Sequence, residues 1–326
     1  MGGLLSEIGK KLAERWFSLL VLPGALYLAV LATAHALGHT HPFDPARLAD
    51  RIGAWARTPV VGDAGGQAVV LAAVLAGAGA AGLAAQALGA LAERLWLAAD
   101  WRAWPLPLRR AAELRVRRRR DHWETAAHHY DRQREEAARA LALGRWSDPA
   151  DRHAAHRGMA SVSVERPDRP TWCGDRIQAV AVRLDRQYRL DLAAVWPHLW
   201  LILPDAPRAE ITAARESLTR ATALAAWSLL YLPVAVLWWP AALISAALAV
   251  SSRARTRAAT DTYATLLEAA VRLHGTGLAD QLGIDRTGPL TKELGTELTR
   301  HLRTDPPAMS ARTPHQSGRV AGVREP

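Results

Sequence analysis

The stretch ATALAAWSLLYLPVAVLWWPAALISAALAV, residues 221–250, runs for thirty residues without a charged side chain. One straight helix of that length would extend about 45 Å, well beyond a bilayer hydrocarbon core of roughly 30 Å. It would also carry the arginines that follow, beginning with Arg253, to the outer side, against the positive-inside rule. Pro233 and the sequence Trp238-Trp239-Pro240 interrupt the run. Residues 218–252 are therefore predicted to form a short transmembrane hairpin that turns at these tryptophans.

A second charge-free segment lies near the N-terminus, at residues 17–37. Its twenty-one residues are enough to span the hydrocarbon core, so they predict the first transmembrane helix. Residues 1–16 place apolar side chains at helical spacing opposite Lys10 and Lys11, which predicts an amphipathic helix in the cytoplasmic interface. A cleaved signal peptide is the alternative interpretation, because basic residues, an apolar run and small residues occur in the same order.

The third apolar segment, residues 66–97, predicts a second transmembrane helix that is rich in small side chains. Five of these recur every four positions: Ala73, Gly77, Ala81, Ala85 and Gly89. Such a ladder exposes almost bare backbone on one face, where a neighbouring membrane helix can approach closely, and it predicts a helix-packing surface. The alternative is that an alanine-rich helix contains this ladder by chance. Gln86 is predicted to hydrogen-bond to a neighbouring helix.

The charges around these segments predict the orientation of the chain. Residues 38–65 carry three arginines balanced by three aspartates, whereas the opposite ends of the two helices are flanked mainly by Lys and Arg. The loop is therefore predicted to lie outside, with both termini in the cytoplasm and the protein in the plasma membrane. The predicted fold class is an all-α, polytopic membrane protein with about four transmembrane helices, two N-terminal and two in the hairpin.

Composition agrees with this class and excludes several chemistries. Half of the residues are hydrophobic, and they collect in the charge-free runs. The net charge of +10 comes almost wholly from arginine, since lysine occurs only three times. Cys173 is the single cysteine, which excludes an intrachain disulfide and a zinc site with several thiolates.

The arginines concentrate just after the second predicted helix, in the stretch RRAAELRVRRRRDHW, residues 109–123. They are Arg109, Arg110, Arg115, Arg117, Arg118, Arg119 and Arg120. Arginines at the cytoplasmic end of a membrane helix fix its orientation and bind anionic lipid, so we predict a topology and lipid signal, with the bilayer as partner. A nucleic-acid site is disfavoured because no stacking aromatics are interleaved with the arginines. Residues 98–217 are predicted to form a cytoplasmic helical region, with one long charged helix over residues 108–143.

The most distinctive stretch is RPTWCGDRIQAVAVRLDRQYRLDLAAVWPHLWLILPDAPR, residues 169–208. Its order of residues resembles a segment of uncharacterised bacterial multi-pass membrane proteins. The matching positions are Pro170-Thr171, Gly174-Asp175-Arg176, Tyr188, Leu190-Asp191, Trp196-Pro197, Leu199 and Leu203-Pro204. Asn is expected in that family where this chain has Asp175. The resemblance implies a cytoplasmic module before a membrane hairpin, and it implies no activity.

Residues 190–203 are nearly continuously apolar but too short to cross a bilayer. They are predicted either to lie in the membrane interface, anchored by Trp196 and Trp200, or to form the core of the cytoplasmic region. Residues 253–303 predict further cytoplasmic helices, with an apolar stripe at Leu290, Leu294, Leu298 and Leu302. Residues 304–326 lack apolar periodicity and are predicted to be disordered.

No combination of residues predicts a catalytic, cofactor-binding or metal site. His39 with His41, and Glu124 with His128, are isolated pairs without a complete ligand set, and His153 and His156 are predicted to lie in a loop. The sequence therefore favours a non-enzymatic membrane anchor or scaffold whose cytoplasmic part binds a protein partner or a second copy of the chain. The alternative function is a small transporter or channel subunit, for which the broken hairpin and Gln86 are the only candidate features.

Overall fold

The chain is built from α-helices joined by short connections. The computed structural model describes residues 21–57, 63–284 and 288–303, and no strand occurs within these ranges. The helices are α1 (Leu22–Leu37), α2 (Pro45–Ala56), α3 (Ala64–Leu97), α4 (Leu106–Ala142), α5 (Pro149–Val162), α6 (Trp172–Tyr188), α7 (Leu192–Ile202), α8 (Asp205–Leu237), α9 (Pro240–Gln281) and α10 (Lys292–Leu302). The all-α prediction is confirmed. The predicted interfacial helix at residues 1–16 and the predicted disordered tail at residues 304–326 lie outside the described residues.

Residues 221–250 fold as two antiparallel helices. Helix α8 ends where Trp238 adopts an extended backbone, and Pro240 occupies the first turn of α9, where its missing N–H costs nothing. Ser228 and Ser245 each donate to the other's backbone carbonyl at 2.9 and 2.8 Å, and the Ser252 hydroxyl donates to Ala221 O at 2.6 Å. These pairs run in opposite directions along the two helices. The predicted turn at the tryptophans is confirmed, while Pro233 lies inside α8 without ending it.

Contacts at both ends of this hairpin define a four-helix bundle. At one end, Trp238 Nε1 donates to Pro42 O and His39 Nδ1 lies 3.0 Å from Leu237 O. At the other end, Arg215 of α8 forms an ion pair with Glu93 of α3. Helix α3, the second half of α8 and the first part of α9 therefore run between the same two ends, and the described part of α1 packs along α3 from the level of Ala78 toward the end that carries Pro42.

The bundle exposes many large aliphatic side chains, which together we call the apolar belt. Its exposed large side chains are Leu22, Leu26, Val69, Leu71, Val74, Leu75, Leu83, Leu91, Leu229, Leu232, Val236, Leu243 and Val250. Two helices, α3 and α8, are long and apolar enough to cross a membrane. Only 17% of the most apolar window of α3 and 33% of that of α8 is buried, whereas the core helix of a soluble protein would be mostly buried. Helix α1 is apolar but shorter over its described residues, and Arg253 follows the apolar start of α9.

The second half of the chain builds a separate hydrophobic core beyond the bundle. Helices α6, α7 and α10 pack with the C-terminal part of α9 around side chains that are almost fully buried. These include Val180, Leu184, Leu190, Val195, Leu199, Leu203, Leu267, Val271, Leu294 and Leu298. Residues 190–203 thus belong to a protein core, the second of the two predicted alternatives. Leu294 and Leu298 of the predicted stripe are buried, while Leu290 and Leu302 lie at its edge.

Helices α4 and α5 form an antiparallel arm. Helix α4 confirms the predicted long helix, and its 37 residues extend about 55 Å. Three large apolar side chains at the tip are exposed: Leu141, Leu143 and Trp146. The predicted loop around His153 and His156 is wrong, because the Asp148 side chain caps α5 and Pro149 starts it.

The predicted outer loop at residues 38–65 also contains a helix, α2. Asp44 Oδ1 accepts a hydrogen bond from the Arg47 backbone N–H at 3.0 Å, and Pro45 occupies the first turn. Leu48, Ile52 and Trp55 share one face of this helix, which has no buried residue. Asp44 followed by Pro45 is a helix-start signal, and it marks the beginning of α2 in the sequence.

Candidate functional site: the arginine junction

The bundle, the arm and the second core meet at a cluster of polar contacts. We call this cluster the arginine junction; it comprises the 3-10 turn Trp101–Ala103, the first half of α4, residues 163–171 and the start of α6. Its centre is Asp175, whose side chain is 3% exposed. Asp175 Oδ1 accepts the backbone N–H groups of Asp168 and Arg169 at 2.9 and 2.7 Å. Its Oδ2 accepts Arg119 Nη2 at 2.7 Å.

The surroundings of the Asp175 carboxyl shift its pKa in opposing directions. Burial raises its pKa, and the backbone hydrogen bonds from Arg169 and Asp168, together with Arg119, act in the opposite direction. Arg119 also donates to Val162 O at 2.8 Å, so one guanidinium joins α4 to the end of α5 and to α6. A buried pair of this kind holds the local geometry, because removing either partner leaves an uncompensated charge.

Asp168 is a second centre of the junction. Its carboxylate accepts Arg102 at 3.0 Å and Arg120 at 2.8 Å, and its backbone carbonyl accepts Trp101 Nε1 at 3.0 Å. Arg120 Nε donates to Pro167 O at 2.7 Å. Residues 163–171 are therefore held against the 3-10 turn and α4 by side chains from both.

Side chains at the start of α6 also donate hydrogen bonds to the backbone carbonyls at the end of α3. The Thr171 hydroxyl donates to Trp96 O and accepts the Gly174 backbone N–H, which caps α6. Arg169 donates to Leu97 O at 3.1 Å. A Cβ atom at Gly174 would lie 2.6 Å from Leu97 O, so glycine is needed for this close approach. Helix α3 would otherwise leave these terminal carbonyls without partners.

Helix α6 is fixed to α9 on its other side. Arg176 pairs with Asp261 at 2.6 Å, and the Arg257 guanidinium lies 4.4 Å from the centre of the Trp172 ring. Burial lowers the pKa of Arg257, and neighbouring Arg253 acts in the same direction. Cys173 is buried, and burial raises the pKa of its thiol. This cysteine is therefore a protonated, packed side chain at neutral pH.

The seven arginines of the predicted lipid signal divide into three groups. Arg119 and Arg120 bind the protein's own carboxylates and carbonyls. Arg115 is exposed but donates through Nε to Pro170 O, and Arg109 pairs with Glu113 at 3.0 Å. Arg110, Arg117 and Arg118 are exposed and have no side-chain partner among the described residues. Only part of the stretch is thus available to an external anion, since position on the helix decides which side chains turn inward.

The small residues of the α3 ladder do not share one packing surface: some lie against α8, one lies beside α1, and one faces solvent. Ala85 and Gly89 are buried, and the backbone of Ala223 in α8 lies 3.5 Å from the place of a Cβ at Gly89. Gly77 and Ala81 are half-buried, with Leu28 of α1 beside Gly77, while Ala73 is exposed.

The closest approach of α1 and α3 lies outside the ladder. A Cβ at Gly24 would overlap the backbone carbonyl of Ala78, and Ala78 and Gly82 are buried. Gln86 is exposed. The sequence pattern missed this contact because Gly24 follows Pro23 at the start of its helix and belongs to no repeat.

The described ranges contain no group of three or more His, Cys, Asp or Glu side chains arranged to hold a metal ion. Glu124 pairs with Arg166 at 2.8 Å, and His39 contacts Leu237 O. Comparisons with known protein families, with curated proteins and with solved structures found no match for this chain.

Proposed function

We propose that the protein is a non-enzymatic integral membrane anchor that crosses the bilayer four times and holds a helical cytoplasmic domain against the membrane. The observation that carries this proposal is the apolar belt, a surface of large aliphatic side chains that water would not favour. The four crossings are α1, α3, the second half of α8 and the start of α9. The last two are short, and the bilayer thins locally to accommodate them.

Charge supports the proposed orientation. Arg94, Arg102 and the exposed arginines of α4 lie at the end of the bundle that carries the junction, as does Arg253. The end with α2 has aspartates that balance its arginines. The junction therefore lies on the cytoplasmic side of the plasma membrane, and both termini share that side.

The arginine junction supports a scaffold role. It connects the end of α3 with α4, α5, α6 and, through α6, with α9, by hydrogen bonds and ion pairs that leave little freedom between bundle and arm. A rigid arm with exposed Leu141, Leu143 and Trp146 at its tip is suited to hold a partner protein or a second copy. Polar groups of the hairpin favour the anchor over a transporter, since Ser228, Ser245 and Ser252 bind backbone carbonyls of the neighbouring helix.

The family resemblance of residues 169–208 is part of the same proposal. The junction gives two of the resembling residues a physical role, since Thr171 caps α6 and Gly174 permits the approach to Leu97, while Asp175, at the position where that family is expected to have Asn, organises residues 163–171.

Two experiments test the proposed function. Washing membranes with alkaline carbonate should leave the protein in the pellet, and its release would contradict integral insertion.

Crosslinking followed by purification from native membranes should recover a defined protein, or a second copy, with the wild type. Recovery should fall with the variant Leu141→Gln/Trp146→Gln and persist with Leu273→Gln, an equally exposed apolar residue on α9. Equal recovery with all three proteins would contradict binding at the arm.

A further inference from the structure

A groove of about 540 Å³ lies beside the arginine junction, between the end of α3 and the first turns of α4. Its apolar walls include Leu95 of α3 and Leu108 and Leu114 of α4, with Trp104 between the two helices. Arg115 and Arg118 line the same groove, and Pro170 and Thr171 close it on the junction side. On α4, residues 108, 111, 115 and 118 follow helical spacing, so they share one face.

The groove has an excess of positive charge. Arg115 uses Nε to bind Pro170 O at 2.9 Å, which orients its guanidinium, and Arg118 has no partner among the described residues. None of the residues that line the groove is acidic. Of the carboxylates near these residues in sequence, Glu113 pairs with Arg109, Asp168 pairs with Arg102 and Arg120, and the exposed Asp121 does not line the groove. The ligand that complements these two arginines is an anion.

The walls of the groove require that this anion carry an apolar part. Leu95, Leu108 and Leu114 are 38%, 52% and 57% exposed, and Leu95 lies one helical turn after Leu91 of the apolar belt on α3. Trp96 and Trp104 line the same groove, and tryptophan is a side chain favoured at a membrane surface. A soluble phosphate ion would satisfy the arginines and leave the leucines exposed to water. A phospholipid satisfies both, with its phosphate at the arginines and its acyl chains along the leucines.

We propose that this groove is a binding site for one anionic phospholipid, in which Arg115 and Arg118 hold the phosphate and Leu95, Leu108 and Leu114 receive the acyl chains. This inference rests on the proposed membrane function. The planar guanidinium groups can each donate two hydrogen bonds to phosphate oxygens, which a diffuse surface charge would not arrange. The lipid would seal the gap between the bundle and the arm on the membrane side of the junction.

The test is lipid binding to the delipidated full-length protein in detergent, measured by native mass spectrometry during titration with phosphatidylglycerol, phosphatidylcholine or inorganic phosphate. The wild type should retain one phosphatidylglycerol at low lipid concentration. Phosphatidylcholine should bind about tenfold more weakly, and inorganic phosphate should not compete. Equal retention of the two lipids would overturn the proposal, and so would displacement by phosphate at concentrations near that of the lipid.

Arg117 and Arg118 provide a matched pair of variants. They are neighbours on α4, both are exposed and neither has a partner among the described residues, but only Arg118 lines the groove. Arg118→Glu should weaken phosphatidylglycerol binding at least about tenfold, and Arg117→Glu should change it less than about threefold. Equal effects would mean that the arginine stretch attracts lipid only as a diffuse charge. Retention of both variants in carbonate-washed membranes separates failure of this site from failure of the membrane anchor.

Discussion

Arg119 and Asp175, fifty-six residues apart in sequence, form an ion pair at 2.7 Å in which the Asp175 side chain is 3% exposed and that of Arg119 is 18% exposed. The pair joins α4, which follows α3, to α6, which precedes the hairpin of α8 and α9. It therefore couples the two halves of the bundle through the arm.

Removal of one partner of this pair should be costly. Arg119→Gln leaves the Asp175 carboxylate buried without its guanidinium, which should lower the free energy of unfolding by about 3–5 kcal/mol. Thermal unfolding of the purified protein in detergent measures the change. Arg117→Gln, on the exposed side of the same helix, should stay within about 0.5 kcal/mol of the wild type.

The double variant Arg119→Gln/Asp175→Asn gives the coupling between the two residues. It should lose less stability than the sum of the two single variants, since two neutral amides leave no buried charge. Additive losses would contradict a direct interaction between these side chains.

The contact of α1 with α3 should be sensitive to one methyl group. Gly24→Ala would place Cβ against the Ala78 carbonyl, so the helices must separate, and we expect a loss of about 1–3 kcal/mol. Gly79→Ala, which meets no atom within 4 Å, should leave stability unchanged or slightly raised. Equal effects in a chemical unfolding experiment would show that the two helices do not approach at Gly24.

The buried thiol should react slowly and with an altered pH dependence. A raised pKa means a smaller thiolate fraction at any given pH, so maleimide should label Cys173 much more slowly than an exposed cysteine between pH 7 and 9. A single-cysteine variant, Arg145→Cys with Cys173→Ala, supplies the exposed reference. Unfolding in detergent with denaturant should remove the difference. Rapid labelling of the native wild type would contradict the packing of Cys173 between α6 and α9.

Local signals were sufficient to predict much of the helical framework. Charge-free length identified α3, and Pro240 after the two tryptophans identified the break between α8 and α9, because a proline acts on the backbone where it stands. Helix α4 was predicted because its sequence contains few helix-breaking residues. Helix α2 was missed although Asp44 and Pro45 mark its start, since a charged segment between two predicted membrane helices was interpreted as a loop.

The arginine junction could not be predicted in the same way. The arginine stretch was visible as charge, but Arg119 turns inward and Arg118 outward only because α6 and residues 163–171 pack on one side of α4. The carboxylates that decide this, Asp168 and Asp175, lie 48 and 56 residues away from Arg120 and Arg119 respectively. One sequence contains no signal that links such distant positions.

The most direct test of the account is the sidedness of the two ends of the bundle, measured with a membrane-impermeant maleimide on single-cysteine variants made with Cys173→Ala. Asp50→Cys lies on exposed α2, and Arg145→Cys lies at the exposed tip of the arm. The account predicts that Asp50→Cys is labelled in intact cells, while Arg145→Cys is labelled only in inverted vesicles. Labelling of both positions from the same side would contradict a four-crossing anchor with a cytoplasmic arm.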